Sequence, residues 1–134
     1  MPMFGKASLN HLLQLHPSLQ EILLEAIEIM DFSIVCSYRG EKAQNAAFAA
    51  GKSKKKFPFS KHNMRPSPAV DLCPYREGLK WNDKEAFYLL GGILKAIAYK
   101  QGKKIRLGLD WDGDNDVHDQ TFNDLGHAEI LMEV

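Results

Sequence analysis

The sequence is poor in cysteine, carries no net charge and lacks long apolar runs. Its two cysteines, Cys36 and Cys73, lie in apolar segments, so we expect reduced, buried thiols rather than a disulfide. The 17 basic and 17 acidic residues cancel, so the overall charge neither favours nor excludes a polyanionic partner. No apolar stretch could cross a bilayer, and the N-terminus lacks the pattern of a secretory signal. We therefore expect cytoplasmic synthesis, no signal peptide and no stable membrane insertion.

The apolar residues that are present suffice for one folded unit. Hydrophobic residues make up 45% of the 134 positions, which predicts a single domain spanning residues 1–134, and we expect a monomer. Apolar residues at three- and four-residue steps predict helices, and apolar residues at every second position predict strands. The predicted elements are two short helices before residue 31, a strand at 32–37, a helix at 41–50, a strand at 69–73, a helix at 82–100, a strand at 105–109 and a final strand after residue 126.

Local signals also predict helix boundaries and one close contact. Ser8 is expected to cap the first helix, Pro17 to begin the second, and Asn82 to cap the longest one. The Gly91-Gly92 pair lies inside that longest helix, where glycine lowers helix propensity. We therefore expect another backbone to approach the helix closely at these two residues.

Two histidines and a carboxylate form the first candidate site. His62 is predicted in a loop, Asp71 on the strand that follows, and His127 on the last strand. A catalytic zinc ion uses three such protein ligands and leaves a fourth position for water. The same ligand types also suit ferrous iron, so the residues alone do not select the metal.

Two further residues could act beside such a metal. Asp124 lies three residues before His127, where it could serve as a general base, and Arg39 could face a developing oxyanion. Each residue taken singly has a simpler interpretation. His62 could be an exposed loop histidine, His127 a hydrogen-bonded core histidine, and Asp124 a turn cap.

An acidic segment forms a second candidate site. Residues 110–119 contain five aspartates: Asp110, Asp112, Asp114, Asp116 and Asp119. Carboxylates this close repel one another unless a cation or nearby lysines neutralise them. The alternation of aspartate with glycine and asparagine resembles the first part of a calcium loop, although the glycine and closing glutamate of an EF-hand are missing. Calcium binding and an unliganded, hydrogen-bonded loop both remain open.

The motifs around these residues resemble those of a known enzyme family. Ser60-Lys61-His62 with Ala69-Val70-Asp71, and Asp124-Leu125-Gly126-His127, are similar to the SxH…AxD and (D/E)xxH motifs of the zinc D-alanyl-D-alanine carboxypeptidases. The similarity is greatest to their bacteriophage branch, the L-alanyl-D-glutamate endolysins. Ser37-Tyr38-Arg39 with Gln44 resembles the substrate-side motif of that family.

That resemblance covers nearly the whole chain and implies a fold and a set of roles. The implied fold is α+β, with a small antiparallel sheet packed against several helices, as in D,D-carboxypeptidases and Hedgehog-like proteins. One zinc ion would be bound by His62, Asp71 and His127, with Asp124 as catalytic base. The remaining implied roles are substrate or intermediate contact for Arg39, support of the first ligand for Ser60, and either substrate contact or support of a neighbouring site residue for Gln44.

The sequence departs from the family pattern at three places. The interval between the first two ligands is lengthened by Arg65-Pro66-Ser67-Pro68. Asp124 stands where many members have glutamate, and Gly126 stands where proline is common.

The implied activity is hydrolysis of the L-alanyl-D-glutamate bond in peptidoglycan stems, by a phage endolysin made in the host cytoplasm and released to the wall. A D-Ala-D-Ala carboxypeptidase or dipeptidase, or a non-catalytic wall-binding module with structural zinc, are the alternatives. A basic loop suggests further ones, because Lys52, Lys54, Lys55, Lys56 and Lys61 are interleaved with Phe57 and Phe59. Such a loop could bind nucleic acid or an anionic wall polymer, but we expect a solvated loop and no nucleic-acid partner.

Overall fold

The computed structural model describes residues 2–118 and 124–131, which form four helices and one antiparallel sheet. The elements are α1 (Lys6–Leu12), α2 (Pro17–Ala26), β1 (Phe32–Cys36), α3 (Glu41–Ala49), a 3-10 turn (Lys61–Asn63), β2 (Ala69–Pro74), α4 (Lys84–Lys100), β3 (Ile105–Leu107) and β4 (His127–Ile130). The strand order is β1-β2-β4-β3, and every neighbouring pair is antiparallel. The α+β fold class expected from the sequence is therefore confirmed.

The core lies between the sheet and the helices α2 and α4. Each of these helices presents an apolar stripe with the three- and four-residue spacing that the sequence predicts. The stripe of α2 includes Leu19, Ile22 and Leu23, all fully buried, and that of α4 includes Leu90 and Leu94. Because this face of the sheet is covered by helices, the polar side chains of β2 and β4 lie on the opposite face.

The predicted cap at Ser8 is wrong. Helix α1 begins at Lys6 after Gly5, and Ser8 lies inside the helix with its side chain buried. Its hydroxyl accepts a hydrogen bond from the backbone N–H of Ile34 at 3.0 Å, so this serine joins α1 to β1 instead. The second helix does begin at Pro17, and its cap is the ring nitrogen Nδ1 of His16.

The start of α4 and its glycine contact also differ from prediction. Asp83, not Asn82, caps the helix by accepting a hydrogen bond from the N–H of Ala86 at 3.1 Å. A Cβ atom at Gly91 would lie 2.6 Å from the side chain of Leu109. Gly91 therefore makes room for a core leucine, and not for another backbone as predicted.

Cys36 and Cys73 are both free thiols, as expected; Cys73 is buried, but Cys36 is only partly buried, which differs from the expectation. No helix in the part of the chain that the structure describes is long and apolar enough to cross a membrane.

The sheet register places three chemically active residues side by side. Strand β2 lies between β4 and β1. Its residue Asp71 lies opposite His127 of β4 on one side, and a bulge in β1 brings Cys36 opposite Asp71 on the other side. Directly opposed residues in an antiparallel pair point to the same face of a sheet. The register therefore aligns one thiol, one carboxylate and one imidazole across three neighbouring strands.

Candidate metal centre and active site

The three predicted metal ligands lie together at one point on the sheet. The Asp71 atom Oδ1 is 3.5 Å from His62 Nε2 and 3.4 Å from His127 Nδ1. The two imidazole rings meet edge to face with their centroids 5.3 Å apart. Residues separated by 65 positions in the sequence thus present two nitrogens and one oxygen to a shared space.

His62 is oriented by the turn that carries it. Ser60 caps this 3-10 turn, because its hydroxyl accepts the N–H of His62 at 3.2 Å and its own N–H donates to the Asn63 side chain at 3.0 Å. The ring atom Nδ1 of His62 lies 2.8 Å from the carbonyl oxygen of Ser37. Since a carbonyl can only accept, Nδ1 carries the proton and Nε2 is left with a lone pair facing Asp71.

His127 is oriented by a carboxylate that sequence reasoning missed. Its Nε2 lies 2.9 Å from Glu129 Oε1, and Glu129 also contacts the cations of Lys61 and Arg106. Burial alone would raise the pKa of Glu129, but hydrogen bonds from His127 and Lys61 outweigh it and lower the pKa to about 2. An ionised Glu129 accepts a hydrogen bond from Nε2–H of His127, which leaves the Nδ1 lone pair facing Asp71.

The atoms at this point fit a divalent metal ion. Asp71 Oδ1 is buried and has no hydrogen-bond partner among the described residues, although buried carboxylate oxygens almost always have one. Burial alone would lower the pKa of His62, but its interaction with the nearby Asp71 carboxylate raises it to about 10. This carboxylate therefore strongly favours positive charge beside it. Two imidazole nitrogens and one carboxylate oxygen are ligands of catalytic zinc sites.

Cys36 is a second residue that sequence reasoning treated as structural only. Its Sγ lies 3.8 Å from His62 Nδ1 and 3.3 Å from Arg39 Nη2, and Cys36, His62 and Asp71 together form a possible metal-binding cluster. Burial would raise the pKa of this thiol, but the hydrogen bond with His62 lowers it overall. The apolar alternation of β1 gave no sign of this, because the contact depends on the bulge beside Cys36.

Asp124 lies beside the same point, in the turn that leads into β4. Carboxylate and imidazole atoms of Asp71, Asp124 and His127 lie within 4.8 Å of one another. Burial and the nearby charge of Asp71 raise the pKa of Asp124. A carboxyl group whose pKa is raised toward neutrality is suited to accept and return a proton.

Two glycines allow the Asp124 turn to pack tightly. A Cβ at Gly108 would lie 2.0 Å from the Asp124 carbonyl oxygen, and a Cβ at Gly126 would lie 2.2 Å from the Leu72 carbonyl oxygen. Gly126 also accepts the N–H of Leu72 at 2.8 Å. The glycine that stands where proline is common in the family is therefore needed for the close approach of the turn to β2.

Arg39 and Gln44 connect the metal centre to the loop beside it. Arg39 donates from Nη2 to Asp71 Oδ2 at 3.3 Å and from Nη1 to Gln44 Oε1 at 3.1 Å. Gln44 is fully buried, and its Nε2 donates to Ser53 Oγ at 2.9 Å and to the Lys55 carbonyl at 2.6 Å. Gln44 therefore positions Arg39 and the basic loop from behind rather than from the substrate side.

A cleft of about 240 Å³ opens over the metal centre. The ligands form part of its floor, and Trp111 lies against His127 with ring centroids 5.2 Å apart. The basic loop that we expected to be solvated contributes to the cleft wall. The lining includes Arg39, Ser60, Asp124 and the loop residues Lys52, Ser53, Lys54 and Lys55.

The acidic segment brings three of its five aspartates together. Oxygen atoms of Asp110, Asp112 and Asp114 lie within 4.8 Å of one another. The backbone N–H of Asp114 lowers the pKa of Asp112, but the carboxylates of Asp114 and Asp110 raise it overall. Asp116 instead accepts the backbone N–H of His118 at 2.9 Å. Asp119, also predicted as a calcium ligand, lies outside the described residues.

Comparisons with known proteins agree on one family. Residues 2–131 match the family model described as phage L-alanyl-D-glutamate peptidase. The L-alanyl-D-glutamate peptidase of Escherichia phage T5 is 36% identical over 136 residues, which cover 96% of this chain and 97% of that protein. The crystal structure of the Serratia marcescens L-Ala D-Glu endopeptidase ChiX has a TM-score of 0.74 over 96% of this chain and 90% of ChiX; at 20% identity it shows a shared fold. As its motifs predicted, the chain belongs to the phage L-alanyl-D-glutamate peptidase family and is a peptidase.

Proposed function

We propose that this protein is a zinc-dependent endopeptidase that hydrolyses the L-alanyl-D-glutamate bond in the stem peptides of bacterial peptidoglycan. In this proposal it acts as a phage endolysin that is made in the host cytoplasm and reaches the wall after release. The observation that carries the proposal is the convergence of His62 Nε2 and His127 Nδ1 on the unpaired Asp71 oxygen, in a chain of this family. In each histidine, the proposed ligand atom is the ring nitrogen that does not contact Ser37 or Glu129.

The residues around the centre can carry the hydrolysis. A zinc ion held by His62, Asp71 and His127 would supply a Lewis acid for the hydrolysis. Asp124, whose pKa is raised by burial and by Asp71, accepts a proton from the attacking water and returns it to the departing amine. Arg39 lines the cleft, where its positive charge stabilises the developing oxyanion. Its Nη2 also donates a hydrogen bond to Asp71 Oδ2.

Digestion of purified peptidoglycan is the direct test of this function. We expect the protein to release fragments with new C-terminal alanine and new N-terminal glutamate, identified by mass spectrometry. Treatment with a zinc chelator is expected to abolish the release, and added zinc to restore it. Release of free D-alanine would indicate a carboxypeptidase instead. Peptidoglycan left unchanged with zinc present would contradict the enzymatic proposal.

We also propose that the acidic segment binds calcium through Asp110, Asp112 and Asp114, with Asp116 and Asp119 nearby in the sequence. Asp110 supports this proposal, because its Oδ1 is buried and has no hydrogen-bond partner among the described residues. Its other oxygen is already held by Lys95 at 2.8 Å and by the N–H of Asn115 at 2.9 Å. One oxygen is thus fixed by the protein, and the other is available to a cation.

Thermal unfolding measures calcium binding without relying on activity. Calcium at about a hundredfold over its dissociation constant should raise the unfolding midpoint by about 10 °C. The Asp112→Asn variant should lose most of that rise, because it removes a charge from the cluster. Magnesium at the same concentration serves as the ion control, since it demands a smaller octahedral site. An unfolding midpoint that is unchanged by millimolar calcium would count against the site.

A further inference from the structure

The cleft over the candidate metal centre is positively charged, although the chain as a whole has no net charge. Six basic side chains line it, against three carboxylates. The carboxylates are those of Asp71, Asp124 and Glu129, and two of them already contact cations within the cleft. Arg39 contacts Asp71, while Lys61 and Arg106 both contact Glu129. The remaining basic side chains therefore give the cleft an excess of positive charge before any metal ion is counted.

The basic side chains left over are those of Lys52, Lys54 and Lys55 at the cleft wall. Among residues 2–118 and 124–131, no carboxylate lies within ion-pair distance of Lys52 or Lys55, and both line the cleft. Lys56, the next residue, differs from them. Its ammonium lies 5.0 Å from the centre of the Phe48 ring, and it lines a separate depression formed with Phe57. One short loop thus presents Lys52, Lys54 and Lys55 to the cleft and Lys56 away from it.

The backbone of this loop is fixed to the body of the protein. The N–H groups of Lys52 and Ser53 both donate to the Ala47 carbonyl at the end of α3, at 2.9 and 3.2 Å. The buried Gln44 side chain holds the Lys55 carbonyl at 2.6 Å and also accepts from Arg39. Gln44 thereby joins the loop to Arg39, which in turn contacts the predicted ligand Asp71. A loop that was only solvated would not need this connection. The loop is therefore placed to present charge at the site.

The proposed substrate has a matching negative charge. When alanine acylates the amino group of glutamate, both carboxyl groups of the glutamate remain. The stem peptide can continue through only one of them, so the other stays a free anion next to the bond that is cut. A basic wall beside the reacting centre suits such a carboxylate, and it discriminates against an amide, which carries no charge.

We propose that Lys52 and Lys55 bind the free carboxylate of the substrate glutamate and make the enzyme prefer glutamate to its amide in the stem. This inference rests on the proposed function and names the substrate feature that the site selects. Other carboxylates of a stem peptide, such as its C-terminus, share the same chemistry. The test therefore has to separate the glutamate carboxylate from the terminal one.

Three synthetic stem peptides provide that separation. One has the free glutamate carboxylate, the second has that carboxylate as an amide, and the third has only its C-terminus as an amide. For the zinc-loaded protein we expect kcat/KM to be about tenfold higher for the first peptide than for the second, mainly through KM. The third peptide should behave like the first. Raising the salt concentration should reduce the preference, because the lysines are exposed to solvent.

Matched variants assign the preference to the two lysines. The double variant Lys52→Met, Lys55→Met should cleave the first two peptides with nearly equal kcat/KM, because it loses the gain on the free carboxylate. Lys56→Met should keep the full preference, because this lysine lies outside the cleft. A loop with a purely structural role would instead lower activity on both peptides together.

The outcomes separate this inference from the function it rests on. Equal cleavage of all three peptides by the wild-type protein, or a preference that survives the double variant, would overturn the inference and leave the peptidase activity intact. Sensitivity to the terminal amide alone would assign the lysines to a different carboxylate and refute the assignment to glutamate. Failure to cleave any of the peptides would overturn the proposed bond specificity together with the inference.

Discussion

Replacing Asp124 with asparagine is expected to lower kcat about a thousandfold while the protein keeps its metal. The amide has nearly the same shape as the carboxylate but cannot accept a proton from water. The backbone of Asp124 is held independently of its side chain, because its carbonyl accepts the N–H of His127 at 3.1 Å and its N–H donates to Gly108 at 3.2 Å. The turn and the neighbouring ligand should therefore stay in place.

The measurement combines steady-state kinetics on peptidoglycan fragments with metal analysis of the same sample. Asp83→Asn is a suitable control, because asparagine caps a helix about as well as aspartate and α4 should be unaffected. This control should retain both metal and activity. If Asp124→Asn turned over at the wild-type rate, another group would have to be the base.

The His127→Ala variant should lose both metal and activity. This substitution removes one of three ligand atoms and leaves the charged Glu129 without the imidazole it contacts. We expect metal content to fall from stoichiometric to near zero and turnover to fall more than about a thousandfold. The unfolding midpoint should also fall toward that of the chelator-treated protein, because metal binding to the folded state adds stability.

A matched histidine distinguishes this effect from a general loss of stability. His16→Asn keeps a side-chain acceptor at the cap of α2, far from the centre in sequence, and should keep metal and activity. Inductively coupled plasma analysis of the purified variants gives the metal content directly. Full zinc content in His127→Ala would show that this histidine is not a ligand.

The sequence predicted the parts of this protein whose signals are local. Helices α2 and α4 and the strands β1, β2 and β4 follow from periodic apolar residues, because side-chain periodicity depends only on near neighbours. The positions of His62, Asp71 and His127 came from short motifs, and the structure brings these residues together. Boundaries were less accurate, as at Ser8 and Asn82, since several polar residues near a helix start can compete to cap it.

The parts that could not be predicted depend on contacts between distant residues. Glu129 orients His127 only because Lys61, 68 positions earlier, and Arg106 meet it there. Gln44 was expected either to contact substrate or to support a neighbouring site residue, and it is buried beneath the basic loop, where it contacts both Arg39 and Lys55. In each case the side chain type was visible in the sequence, but its partner depended on how the chain folds back.

The strand order has a consequence for when activity can arise. Strand β4 lies inside the sheet, between β2 and β3, and its first residue is the ligand opposite Asp71. A slip of one residue in this pairing would turn His127 to the helix-covered face and separate it from the other ligands. A chain in which β4 has not yet inserted has His62 and Asp71 but no complete site. With His127 as a ligand, completion of the sheet and onset of catalysis are one event, and we expect partly folded copies of this peptidase to be inert.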